Sequence, residues 1–214
     1  VLALARGDHD AAGQWFDRAV AAEPRYAQAQ FSRGQLRRER GDLTRFQPST
    51  PPGILYSNAA YQWVAEHIEL FPGLLKLLPS GGQLAIQMPR NHQAPSHALM
   101  HEAAEAGPWK DKLKAVKPLP PVSEPERYYD VMKPLSAQLD VWETIYQQPL
   151  TGKDPVAQYT ASTGLRPYLQ LLDKEEGQAF FDHYAALLAK AYPTRPDGIT
   201  LFPFRRLFIV ARRA

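Results

Sequence analysis

Arginine carries a planar fork of donors that matches a carboxylate, and tyrosine adds a neutral hydroxyl. On that chemistry Arg166 in "TGLRPYL", Arg206 in "PFRRLF" and the adjacent Tyr128 and Tyr129 are the residues suited to hold a small anion. The plainer role of most arginines is solvation. Gln87, Met88 and Pro89 close the apolar run "GGQLAIQMP", where a strand of an α/β sheet presents its end to a ligand; Met88 fits a core equally well. Asn58, Ala59 and Ala60 follow "ILYS" and are small enough for a ligand to approach closely, or simply for a tight strand-to-helix turn. Gln62 and Trp63 come next, the indole being suited to stacking or to a core. The six histidines include one pair at helical spacing, His97 and His101. That pair lacks the glutamate of H-E-x-x-H and a third ligand, so no metal centre is expected. No catalytic dyad stands out either, and no catalytic residue is assigned.

The elements that must position these residues alternate between strands and helices. "GILYSNAA" (53–60) and "GGQLAIQMP" (81–89) read as buried strands, "QLDVWETIYQQ" (138–148) alternates like a strand, and "RRLFIVARR" (205–213) reads as a final one. Helical patterns fall at 67–79, interrupted early by Pro72, at 96–106, around 153–163 and at 173–191, with a proline-rich connection through 117–125. Units of this length predict an α/β fold with parallel pairing, right-handed crossovers and helices on both faces. Ligands of such sheets bind beyond the C-terminal ends of the strands.

Composition narrows the function. The 214 residues are 44% apolar and 22% charged, as in an ordinary globular protein, and no apolar run reaches 18 residues, so neither a membrane span nor a secretory leader is expected. Cysteine is absent, which excludes disulfides and thiolate metal sites and fits a cytoplasmic protein. The net charge of +3, with four arginines in "RRLFIVARRA" (205–214), lacks the aromatic interleaving of a nucleic-acid surface and suits a small anionic substrate.

Residues 1–42 follow a different pattern. Gly7-Asp8, Ala12, Phe16, Ala19, Pro24 and Gly34 stand at positions that resemble the tetratricopeptide repeat, and Gly41-Asp42 falls 34 residues after the first Gly-Asp. From Leu43 that register fails, because Phe46 takes a small-residue position and prolines 48, 51 and 52 stop a helix. Two segments result: a tetratricopeptide-like helical segment over 1–42, able to take a protein partner, and an α/β part over 43–214. The opening on Val1, already inside a helical pattern, reads as a cut from a longer polypeptide.

The second segment resembles a known family. "FQPSTPPGILYSNAAYQWVAEHIELFPGLLKLLPSGGQLAIQMPRN", then "PSHALMHEAA", "YYDVM", "LDVWETIY", "TGLRPYL" and "PFRRLFIVARR" are similar, in order, to the trans-aconitate 2-methyltransferases, which are S-adenosylmethionine (SAM) dependent enzymes with a Rossmann-like fold. The resemblance implies a SAM-dependent O-methyltransferase acting on a small anionic polycarboxylate, built on the C-terminal part of a Rossmann-like sheet. It implies that Asp42 accepts from the adenine amine, unless it is only the repeat's turn. It places Asn58, Ala59, Ala60, Gln62 and Trp63 around the cofactor. Substrate contacts would fall to Gln87, Met88, Tyr128, Tyr129, Arg166 and Arg206. Two family features have no counterpart in these residues: the G-x-G-x-G cofactor loop and the acidic residue that meets the ribose hydroxyls. Arg90 stands where the family shows an acid, and Gly53 where it often shows Asp. The alternative reading is a non-catalytic interaction module that joins repeats to part of a methyltransferase.

Overall fold

The computed structural model describes residues 43–116, 121–161 and 163–214. The tetratricopeptide-like segment and Asp42 lie outside them. Four strands form one sheet: β1 (Ile54–Asn58), β2 (Gln83–Pro89), β3 (Ser136–Leu150) and β4 (Thr200–Arg213), in the spatial order β1-β2-β4-β3. All four fall where the apolar and alternating runs place them. β1 and β2 are parallel, joined through helix α1 (His67–Lys76). The register sets Asn58 beside Gln87, Phe208 and Trp142 in one row across the sheet.

The expectation of parallel pairing throughout is corrected by β4, which runs antiparallel to both β2 and β3. The cause is where the chain leaves and returns. β3 ends at Leu150, opposite Thr200 at the start of β4. The helices α5 (Pro155–Ala161), α6 (Arg166–Leu169) and α7 (Lys174–Ala191) are inserted at that one end, so the returning strand must run backwards. An antiparallel strand in an otherwise parallel sheet is a common variant of open α/β folds.

The parity of the strands makes two faces. Leu84, Ile86, Met88, Leu207, Ile209 and Ala211 all point one way and are buried against α1 and α4 (Pro125–Met132), with Phe71, Leu75, Tyr128 and Met132 packed on them. Pro72 does not break α1, contrary to the interruption read from sequence. A proline early in a helix removes one backbone bond, and here the burial of Phe71, Leu74 and Leu75 outweighs it. The opposite face carries Ile54, Tyr56, Trp142 and Tyr146, which are 42–63% exposed. Helices on both faces were expected; among the described residues this second face is met by a helix only at its far end, where Tyr159 of α5 packs on Phe202 and Phe204.

A second core lies at that end. α2 (Pro95–Ala106), which follows β2, joins α3 (Lys110–Leu113) and α5–α7 around Met100, Trp109, Phe180, Tyr184 and Phe202. The long helix α7 starts in a capping box: Asp173 accepts from the backbone N–H groups of Glu175 and Glu176, and Glu176 accepts from that of Asp173. The helical lobe therefore stands over the C-terminal ends of β2 and β3, where ligands of such sheets bind. Helix α4 was not anticipated from sequence, although Pro125 at its first position is a start signal.

Candidate functional site

A cavity of about 540 Å³ opens on the exposed face, toward the C-terminal ends of β1 and β2. Its size suits a small molecule. Ala85 and Val210 are short side chains on neighbouring strands and leave the space; Tyr56, Tyr146 and Phe208 wall it. Asn58, Gln87, Gln148 and Arg206 give it polar atoms. Gln87 is 5% exposed, and its Oε1 accepts from Arg206 Nη1 at 2.8 Å. Two buried donors there have no hydrogen-bond partner among the described residues: Gln87 Nε2 and Arg206 Nε. The guanidinium is steadied by the rings of Phe204, at 4.8 Å, and Tyr146, at 5.7 Å.

The loop after β1 borders this cavity. Ala59 adopts φ 52°, a left-handed conformation unusual for a residue with a Cβ, and its N–H donates to Gln87 O at 2.9 Å. That bond ties the loop to the end of β2. Ala60 is buried, Trp63 is 51% exposed, and Gln62 Oε1 is buried with no hydrogen-bond partner among the described residues.

The structure thus brings Asn58, Gln87 and Arg206 into one cavity, with Ala59, Ala60, Gln62 and Trp63 on the adjoining loop. It does not bring the others there. Met88 is fully buried on the covered face, the core role left open by sequence. Tyr128 is fully buried behind the sheet, donating to His67 Nε2 at 2.7 Å and accepting from Ser123 N–H at 3.1 Å. Burial pushes its phenol up to about 12, so it stays protonated. Tyr129 is exposed on α4, and Arg166 is exposed at the start of α6; neither lines the cavity. Tyr56, Tyr146, Gln148 and Phe208 were missed because their roles come from strand pairing across the sheet. The alternation in "VWETIYQQ" already put 142, 146 and 148 on one face, but not which neighbours they meet.

Arg90 follows the same strand and serves a different end. Its side chain is 3% exposed, pairs with Glu143 Oε1 at 2.8 Å and with Glu124, and donates through Nε to Ser123 O at 3.1 Å. Its cation is consumed in holding the segment before α4 against β3, so its charge does not face the cavity.

Histidine ionisation is coupled to folding here. His67 donates from Nδ1 to Val64 O and accepts from Tyr128 at Nε2, so it is held neutral, and burial sets its pKa below the ordinary value. His97 is lowered too, by burial and then by the neighbouring His92 and His101. The unfolded chain therefore binds more protons than the folded one just below the ordinary histidine pKa, about 6.5. Stability is full above that value and falls as pH drops through it. Urea midpoints should decrease from pH 7 to pH 5, and His67→Gln should flatten the slope; a midpoint constant over that range would contradict the assignment.

A mixed α/β sheet with a cationic cavity beside its strand ends is a small-ligand site of the open-sheet type. No protein-family profile matches the chain. Trans-aconitate 2-methyltransferase of Agrobacterium fabrum is 42% identical over 176 residues, covering 80% of this chain and 68% of that protein. The enzyme of the same name from an Azoarcus species is 42% identical over 172 residues, covering 80% and 67%. The chain belongs to the trans-aconitate 2-methyltransferase family. Among solved structures, phosphoethanolamine N-methyltransferase 2 of Haemonchus contortus overlaps 85% of this chain and 40% of its own at a TM-score of 0.40 and 11% identity, a likeness too loose to inform the site.

Proposed function

We propose that this chain carries out SAM-dependent methyl transfer to one carboxylate of trans-aconitate or a closely similar polycarboxylic acid. The observation that carries the reading is the 42% identity to enzymes of that name across 80% of the chain. The cavity agrees with it, because Arg206, the cationic group among its described lining residues, is placed among aromatic walls of small-molecule dimensions.

SAM, when bound, supplies an electrophilic methyl group. The loop Asn58–Trp63 fits its approach: Ala59 and Ala60 are small, and Gln62 Oε1 is a buried acceptor with no partner among the described residues. Trp63 offers an exposed ring beside them. A carboxyl group ionises near pH 4, so the acid arrives as its own nucleophile and needs no general base at neutral pH. What remains is positioning and exclusion of water. The cavity floor of Ala85 and Val210 and the walls of Tyr56, Tyr146 and Phe208 provide surfaces that position the acid.

The test is to incubate the 214-residue chain with SAM and trans-aconitate and to look for the monomethyl ester by mass spectrometry. Acid-dependent ester is expected. Failure to form it, with the chain folded and both compounds at millimolar concentration, would overturn the reading.

A further inference from the structure

Two apolar surfaces of this chain call for cover, and one can cover the other. The first is the open face of the sheet. Ile54 is 63% exposed and Trp142 44% exposed, and the indole lies flat on Phe208 of the neighbouring strand, 5.1 Å between centroids and 7° between planes. Ala85 and Val210, paired across β2 and β4, continue the strip from Phe208 toward β1. Single exposed apolar side chains mean little, but a contiguous strip on a sheet marks a surface that another layer covers. The second surface lies in the sequence of residues 1–42, where Ala12, Trp15, Phe16, Ala19 and Val20 recur at helical spacing. A tetratricopeptide-like unit buries such a stripe only against a neighbour, and this segment is little longer than one 34-residue repeat.

Where the segment joins the sheet decides what it can reach. Phe46 packs on the first core and fastens the connection there, eight residues before β1. Between the stripe and Phe46 lie residues 21–45. Even wound entirely as helix they reach up to about 37 Å, enough to pass the edge of β1 and cross four strands, about 15 Å. A tethered segment is present at millimolar effective concentration, so a second copy of the chain is the weaker competitor for the face. We propose that residues 1–42 dock within their own chain, setting Trp15 and Phe16 on the strip of Ile54, Phe208 and Trp142, where a further repeat would otherwise stand. The cavity opens on this same face, so the docked segment roofs part of it. The inference concerns packing and holds whether or not the chain forms an ester.

The absence of cysteine makes the test direct, because a single introduced thiol is the sole target of a maleimide. Ile54→Cys and Asp140→Cys, made separately in the full chain, place a thiol on the open face; Leu171→Cys places one on the helical lobe at a site 45% exposed. The first two should be labelled about tenfold more slowly than the third, as when the undocked form is a tenth or less of the population. Adding Trp15→Asp and Phe16→Asp should bring their rates up to that of Leu171→Cys, with the urea midpoint of the sheet still measurable. A second readout needs no disruptive change: Ala19→Cys with Ile54→Cys should be joined by a short bismaleimide within one chain, giving a monomer on a denaturing gel. Labelling of the sheet thiols as fast as Leu171→Cys in the full chain would overturn the proposal. So would slow labelling that the two aspartates leave unchanged, since something else would then cover the face. A cross-linked dimer in place of the monomer would assign the face to a second copy and overturn it too.

Discussion

Phe71→Ala should cost about 3–5 kcal/mol of folding stability, seen as a lowered urea midpoint at unchanged denaturant slope. Phe71 is fully buried at the centre of an aromatic group: Tyr61 meets it edge-on at 5.4 Å, and His67 and Tyr128 lie at 5.6 and 5.7 Å. It is also the residue of α1 just before Pro72, where the helix lacks a backbone bond. Removing the ring leaves a void between α1, α4 and the sheet and withdraws the packing that compensates for the proline. His67 and Tyr128, bonded to each other, cannot shift to fill the space without breaking that bond. Leu171→Ala, at a residue 45% exposed, should stay within about 0.5 kcal/mol. A Phe71→Ala cost that small would mean that the sheet and α1 are not packed as described.

The second large effect is at Arg90. Arg90→Met removes a cation that is 3% exposed and leaves behind Glu143, a quarter exposed and still 3.6 Å from Arg205 Nη1, and Glu124, more than half exposed. Breaking a fully buried pair costs about 3–5 kcal/mol because a charge is left uncompensated. Both partners here reach water, so about 2–3 kcal/mol is expected. Adding Glu143→Gln to Arg90→Met should recover part of the loss, whereas Glu124→Gln alone should change little. If Arg90→Met were neutral, the guanidinium would not be fastening the segment at 123–124 to β3. The same experiment bears on function: full acid binding by a folded Arg90→Met chain would agree with a cation turned away from the cavity.

Much of this architecture was legible because each strand is an uninterrupted apolar or alternating run. "ILYS" and "QLAIQMP" announced β1 and β2 within two residues of their ends. The helical pattern over 173–191 marked α7 within one residue of its start. The direction of β4 was not legible, because a strand's pattern does not record which way it runs; only the insertion of the helical lobe at one sheet end decides that. At the site, Gln87 and Arg206 were each nameable from residue type, but their contact joins positions 119 residues apart. Met88 and Tyr128 went astray for a related reason. Met88 is next to Gln87 in sequence, and the pleat sends the two to opposite faces. Tyr128 has the hydroxyl that a substrate contact requires, but it lies on the inner side of a short helix whose existence the sequence reading had not registered.

The order of the strands in space has a consequence for how the molecule is made. β4 is the last of the four to be synthesised, and it lies between β2 and β3. Until residues 200–213 leave the ribosome, β1 and β2 can pair but β3 has no neighbour, and the lobe of α5–α7 stands beside an incomplete sheet. Arg206 arrives with that same strand. The central seam and the cationic group of the cavity are therefore completed together, so that a nascent chain stalled earlier has neither.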